Sequence, residues 1–207
     1  MNIYSMEIKA QLRSFLIWTV SILGLLIIFM TGIYNAFMDS RDVLENMISG
    51  FPPALADAFG VHLDVMFSYG GFFTFTFMYV SLFGAIMATS LSVSVFSREK
   101  RSKCVDFLLA KPVSRWHIFL MKLSSVLTLL VVLNGLYIAV TIILCKSSGD
   151  ETTQIGTLFW ASCALFCTQL VFMSFGIAFA VFSKKVRSVS GIATAFGFGG
   201  FILGALH

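Results

Sequence analysis

Charge is scarce in this chain. Of its 207 residues only 12% are Asp, Glu, Lys or Arg, against about 25% in an ordinary soluble domain. With 58% of the residues hydrophobic, there is not enough polar surface to wrap a water-soluble core. Proline is nearly absent too, at Pro52, Pro53 and Pro112, so helices can run unbroken over most of the chain. The motifs GxxxxGK[ST], HExxH, GxSxG and CxxC are all missing. With them go the usual sequence marks of nucleotide-binding, metalloprotease, serine-hydrolase and dithiol chemistry. Cys104, Cys145, Cys163 and Cys167 have neither zinc-ligand spacing nor the setting of a secreted disulfide framework. His62, His117 and His207 are scattered over separate segments and form no metal set, so no metal site is expected.

What the sequence has instead is apolar length. Uncharged stretches of 20 residues or more occur five times: Ser14 to Met38, Gly70 to Ser97, Leu123 to Cys145, Ile155 to Ser183 and Ser188 to His207. About 20 apolar residues in a helix cross a bilayer, and in lipid only helices or closed barrels satisfy their own backbone. The expected fold class is all-α, a polytopic helical membrane protein with a cytoplasmic N-terminus. Its five spans, at 15–34, 70–96, 118–145, 155–182 and 189–207, form a single transmembrane domain over 1–207. Gly70-Gly71-Phe72-Phe73-Thr74-Phe75-Thr76-Phe77 alternates like a strand, but an unpaired strand in lipid would leave its backbone polar groups unsatisfied. The first apolar run exceeds the roughly 7–15-residue core of a signal peptide, and Tyr34-Asn35-Ala36 is a poor cleavage site; it reads as an uncleaved span.

The few charges sort by side of the membrane. Twelve basic residues fall inside and two, Arg41 and Lys146, outside, whereas Glu7, Glu99 and Asp106 are the inside acids against seven outside. This is the positive-inside pattern, and it accounts for the net charge of +4 without a nucleic-acid partner. No Asp, Glu, Lys or Arg stands in mid-span, which argues against an ion-coupled transporter, whose driving ion needs such a group.

In chain order, residues 1–13 set Ile3, Tyr4, Met6, Ile8 and Leu12 among Glu7, Lys9, Gln11 and Arg13. This pattern suits an amphipathic helix in the cytoplasmic interface; a frayed basic tail is the alternative. The acidic outer segment 35–69 places Ser40 to cap a short helix, and Pro53 to Phe59 can form a second. In the second span Ser81, Gly84, Ala85, Ala88 and Ser92 recur three and four apart, which permits close helix contact. Asn134 and Gln169 stand at similar depth in neighbouring antiparallel spans. They read either as a hydrogen bond between helices or as a polar spot on a substrate path. Gly200 and Gly204 make a GxxxG packing face in the last span.

Seven of the fourteen basic residues lie between Arg98 and Lys122, flanking a short apolar run, Cys104, Val105, Phe107, Leu108 and Leu109. Pro112 disfavours a helix continuing past Ala110, Ser114 can cap the next one, and Trp116 is an interfacial anchor. The loop 98–117 is therefore a helix descending from the second span, a turn, and a helix rising into the third. Its exposed apolar turn either rests on lipid headgroups or fills a groove in a soluble partner.

Glu99, the run Lys103-Cys104-Val105-Asp106-Phe107-Leu108-Leu109, and Lys111-Pro112-Val113-Ser114-Arg115 with Lys122 resemble the cytoplasmic loop of type-2 permeases of ATP-binding cassette transporters. Those loops read as Glu, a spacer, an acid, two leucines, Pro-Val-Ser-Arg and a Lys. The order of elements from Met1 to His207 is similar to the rest of that family. The resemblance implies a multi-pass subunit of a bacterial cell membrane that forms a translocation path, with export as the direction. It implies no catalysis and no cofactor in this chain, ATP and Mg being bound by a partner. The partners it implies are a cytoplasmic ATP-binding subunit in two copies, a second permease copy or paralogue, and the lipid bilayer. Carried over residue by residue, the coupling interface would comprise Glu99, Arg101, Val105, Asp106, Phe107, Leu108, Leu109, Lys111, Pro112, Val113, Ser114 and Arg115. The departure is at the C-terminus, where family members usually have a sixth span that this sequence, ending at His207, does not show. The alternative function is a non-transport module, a sensor or assembly factor whose basic loop binds anionic lipid. An integral membrane enzyme is disfavoured by the missing catalytic motifs.

Overall fold

The structure, a computed structural model, describes residues 3–41, 67–102, 114–148, 155–183 and 188–205. The short helices expected within the outer segment, the turn at 149–154, the centre of the cytoplasmic loop at 103–113 and the basic cluster at 184–187 lie outside the described residues. Every described element is helical.

Helix α1 (Ile3–Ile27) passes through a π-helical turn (Ile28–Ile33) into α2 (Tyr34–Asp39), making one rod of 37 residues. Helices α3 (Tyr69–Ser102) and α4 (Arg115–Ser148) have 34 residues each, α5 (Ile155–Phe182) has 28 and α6 (Val189–Ala205) has 17. At about 1.5 Å per residue, α3 and α4 are each about 51 Å long, well beyond a hydrocarbon core of about 30 Å. Their charged ends, Arg98 onward in α3 and Arg115 to Lys122 in α4, therefore project from the apolar layer. Among the described residues four helices are long and apolar enough to cross a membrane, and α6 is a shorter apolar one. The chain is an all-α polytopic membrane protein, and each of the five apolar runs read from the sequence falls on one of these helices, the last on the shorter α6.

Residues 3–13, expected as a separate interfacial helix, are instead the first turns of α1. The inward face explains the difference. Glu7, Gln11, Phe15, Thr19, Ile22 and Leu26, three or four apart, form one buried stripe that runs past Arg13 without changing course.

Helix α3 is the centre of the bundle, packing most extensively on α5, then on α6 and α1. Small side chains allow this approach. A Cβ on Gly84 would stand 2.9 Å from Leu165 Cδ1, and one on Gly176 of α5 would meet the Ser92 hydroxyl and, at 3.1 Å, the Thr89 carbonyl. Thr89 Oγ1 donates to its own turn at Ala85 O (2.9 Å) and reaches Phe172 O of α5 at 3.4 Å. Thr74 and Thr76 donate back to the carbonyls of Gly70 and Phe72, each at 3.0 Å. The Phe/Thr alternation is thus accommodated within a helix.

Helix α6 joins through Ala193, Gly197 and Gly200, with Gly197 against Ile86 of α3 and Gly200 against Phe172 of α5. Gly204 lies in its last turn. At the far end of the first rod, Tyr34 meets Tyr69 edge-on (5.6 Å, 83°) and the Arg41 guanidinium lies 5.0 Å from the centre of the Phe67 ring. Ser40 Oγ donates to Ala36 O at 3.0 Å; the helix it was expected to cap lies outside the described residues.

Candidate functional site

The two stems of the 98–117 loop come from α3 and α4. Helix α3 carries on to Ser102, since no proline interrupts the chain before Pro112. Helix α4 starts as the sequence suggests: Ser114 Oγ accepts from the His117 backbone N–H at 3.2 Å, an N-cap bond. The stems are joined by Phe96 and Phe119, whose rings are 5.3 Å apart, with Trp116 edge-on to Phe119 at 5.9 Å. Trp116 itself is 73% exposed, as suits an interfacial anchor. Of the expected coupling residues, Glu99 and Arg101 stand on the last turns of α3, and Ser114 and Arg115 at the start of α4. Val105, Asp106, Phe107, Leu108, Leu109, Lys111, Pro112 and Val113 lie outside the described residues.

Directly behind these stems lies a buried charge cluster that the sequence reading did not assemble. The Glu7 side chain is 0% exposed. Arg98 Nη1 of α3 donates to its Oε2 at 3.2 Å, and Lys122 Nζ of α4 stands 3.5 Å from its Oε1. Lys122 also donates to the Val95 carbonyl at 2.7 Å and lies 6.0 Å from the centre of the Phe96 ring. One turn along α1, Gln11 Nε2 donates to Ser94 Oγ at 2.8 Å; one turn back, Tyr4 OH donates to Thr128 Oγ1 at 3.0 Å. Removing one partner of such a buried pair typically costs about 3–5 kcal/mol, because it strands a charge away from water. The only signal that could have pointed to the cluster is spacing: Glu7 and Gln11 lie on the same helical face as Phe15, Thr19 and Ile22, although their polar side chains read by themselves as a wet face.

The second polar feature was foreseen as a pair. Asn134 Nδ2 donates to Gln169 Oε1 at 2.6 Å and to Leu130 O at 2.8 Å, and both side chains are buried. Asn134 borders an open groove of about 360 Å³ between α4 and α5, lined also by Gly135, Ser162, Cys163 and Cys167. A separate apolar hollow of about 330 Å³ lies among α3, α5 and α6, with Ser81 and Thr168 as its hydroxyls. Among the described residues no His, Cys, Asp and Glu gather to hold a metal ion.

Long apolar rods, a polar pair shared between two of them, and a charged cluster at the base of a basic loop define an integral membrane protein. Over residues 1–203 the chain matches the profile of the ABC-2 family transporter protein. It belongs to that family, as a membrane component of an ATP-binding cassette transporter, a transport subunit whose kind works with a cytoplasmic ATP-binding partner. No curated protein and no solved structure matches the chain.

Proposed function

We propose that this chain is the path-forming subunit of an exporter in a bacterial cell membrane, and that a separate ATPase drives it through the 98–117 loop. The observation that carries this reading is the family match over residues 1–203. In support, the loop combines basic residues with the apolar run from Phe107 to Leu109, the composition of an anchor with a charged rim. Its two stems are also held at a fixed spacing by the Phe96–Phe119 contact. The complex we propose contains two ATP-binding subunits and a second permease copy or paralogue. ATP and Mg belong to the ATPase, and this chain holds no cofactor of its own. Coupling would run through Glu99, Arg101 and the segment from Val105 to Arg115. Closure of the ATPase pair would displace that segment and switch the path between its two access states.

The experiment is co-purification of this chain with an ATP-binding subunit from the same cell. Leu108→Asp combined with Arg115→Glu is expected to cut recovery of the ATPase at least tenfold while the permease still inserts; unchanged recovery overturns the proposal. A loop that only bound anionic lipid would instead show vesicle binding that falls smoothly as salt rises.

A further inference from the structure

We infer that Glu7 is a positioning residue of the coupling machinery: with Arg98 and Lys122 it binds the foot of α1 and both stems of the cytoplasmic loop into one rigid unit. Displacement of the loop is then carried straight into the first span. The inference rests on the reading of the 98–117 loop as the place where the ATPase docks.

Geometry carries the argument. The two oxygens of one carboxylate face two different helices: Oε2 accepts from Arg98 of α3 at 3.2 Å, and Oε1 is ion-paired at 3.5 Å with Lys122 of α4 without a hydrogen bond. Lys122 closes the triangle by donating to Val95 O of α3. The cross-ties recur on three successive turns of α1, at Tyr4, Glu7 and Gln11. Higher on the same rod, the hydroxyls of Ser21 and Thr31 donate to their own helix, at Ile17 O and Ile27 O, and Met30 Sδ accepts a long contact of 3.8 Å from Thr76 Oγ1 of α3. Polar ties between α1 and its neighbours are therefore concentrated at the level where the loop stems emerge. Apolar contacts allow helices to slide over one another, whereas a buried carboxylate paired with a buried Lys122 and a half-exposed Arg98 ties its members together.

The rod also has a place to yield. The π-helical turn Ile28–Ile33 lies beyond the triad, and a Cβ on its Gly32 would meet nothing within 4 Å. Wide turns of this kind commonly mark functional bends. A foot locked to the loop and a wide turn farther along would convert a push on the stems into a tilt of the outer part of the rod.

The test uses the full complex of this chain with its ATPase, with the four native cysteines replaced by serine. Spin labels at Ser40→Cys and Ser147→Cys, both exposed at the outer ends of α2 and α4, report the distance between those ends. Trapping the ATPase with ATP and vanadate is expected to shift that distance by several ångströms in the parent complex. In Glu7→Gln/Lys122→Met the shift is expected to vanish while the ATPase still co-purifies and hydrolyses ATP. This pair removes both buried charges together, and the Arg98 side chain is already 39% exposed, so the bundle is expected to fold. Joining Gln11→Cys to Ser94→Cys with a short bifunctional thiol reagent is expected to leave the shift intact, since it fastens parts that already move together. A parental shift that persists in the double variant assigns the triad to folding alone and overturns the inference. So does a shift abolished by the cross-link, or a parent complex that holds its ATPase yet shows no shift. If no ATPase accompanies the unaltered chain, the coupling reading has itself failed.

Discussion

Asn134 enters the bundle with one amide hydrogen on Leu130 O and another on Gln169 Oε1. Its own Oδ1 and the Gln169 Nε2 have no partner. The two replacements are therefore unequal. Gln169→Leu removes an orphaned amide and leaves Asn134 bonded to its own helix, whereas Asn134→Leu strands both ends of Gln169 beside Gly84, where a Cβ would lie 3.1 Å from Nε2. Asn134→Leu is expected to cost more, with a coupling energy on the order of 0.5–2 kcal/mol in a double-mutant cycle of thermal unfolding in detergent. Equal single effects that simply add would show that the pair contributes no bond. This contact was legible because a short turn between antiparallel helices fixes their relative depth. The Glu7–Arg98 bond was not, because its partners are 91 positions apart and Glu7 looks, in sequence, like any acid on the wet face of an amphipathic segment.

At the scale of elements, the contact between α3 and α5 depends on the absence of a side chain at Gly176. Its neighbour there includes the Thr89 carbonyl at 3.1 Å, and backbone cannot turn aside as a side chain can. Gly176→Ala is expected to destabilise by about 1–3 kcal/mol through overpacking. Gly135→Ala, where a Cβ would meet nothing within 4 Å, is expected to be neutral or stabilising, by up to about 1 kcal/mol of helix propensity. Melting temperatures of the two variants against the parent check this, and equal shifts would contradict the packing. The helices were readable from their uncharged runs and the start of α4 from Ser114. The π-helical turn was not, since Ile28-Phe29-Met30-Thr31-Gly32-Ile33 contains no breaker stronger than one glycine. The continuity of residues 3–13 with the first span was also missed. The polar residues there suggested water, whereas two of them were satisfied by other helices.

For the whole molecule, orientation follows from the sorted charges. In a chain freed of native cysteine, Ser147→Cys is expected to react with an impermeant maleimide in intact cells, and Ser114→Cys only after permeabilisation. The opposite pattern would place the 98–117 loop beyond the reach of a cytoplasmic ATPase. One feature of the bundle also bears on how it is made. Helix α3 is the least apolar of the four long helices and the most enclosed by its neighbours, so hydrocarbon alone offers it a poor home while the chain is still emerging from the ribosome. Helices α5 and α6, synthesised later, supply most of its covering. The packing of the second span made is thus complete only once the last two helices described have followed it into the bilayer.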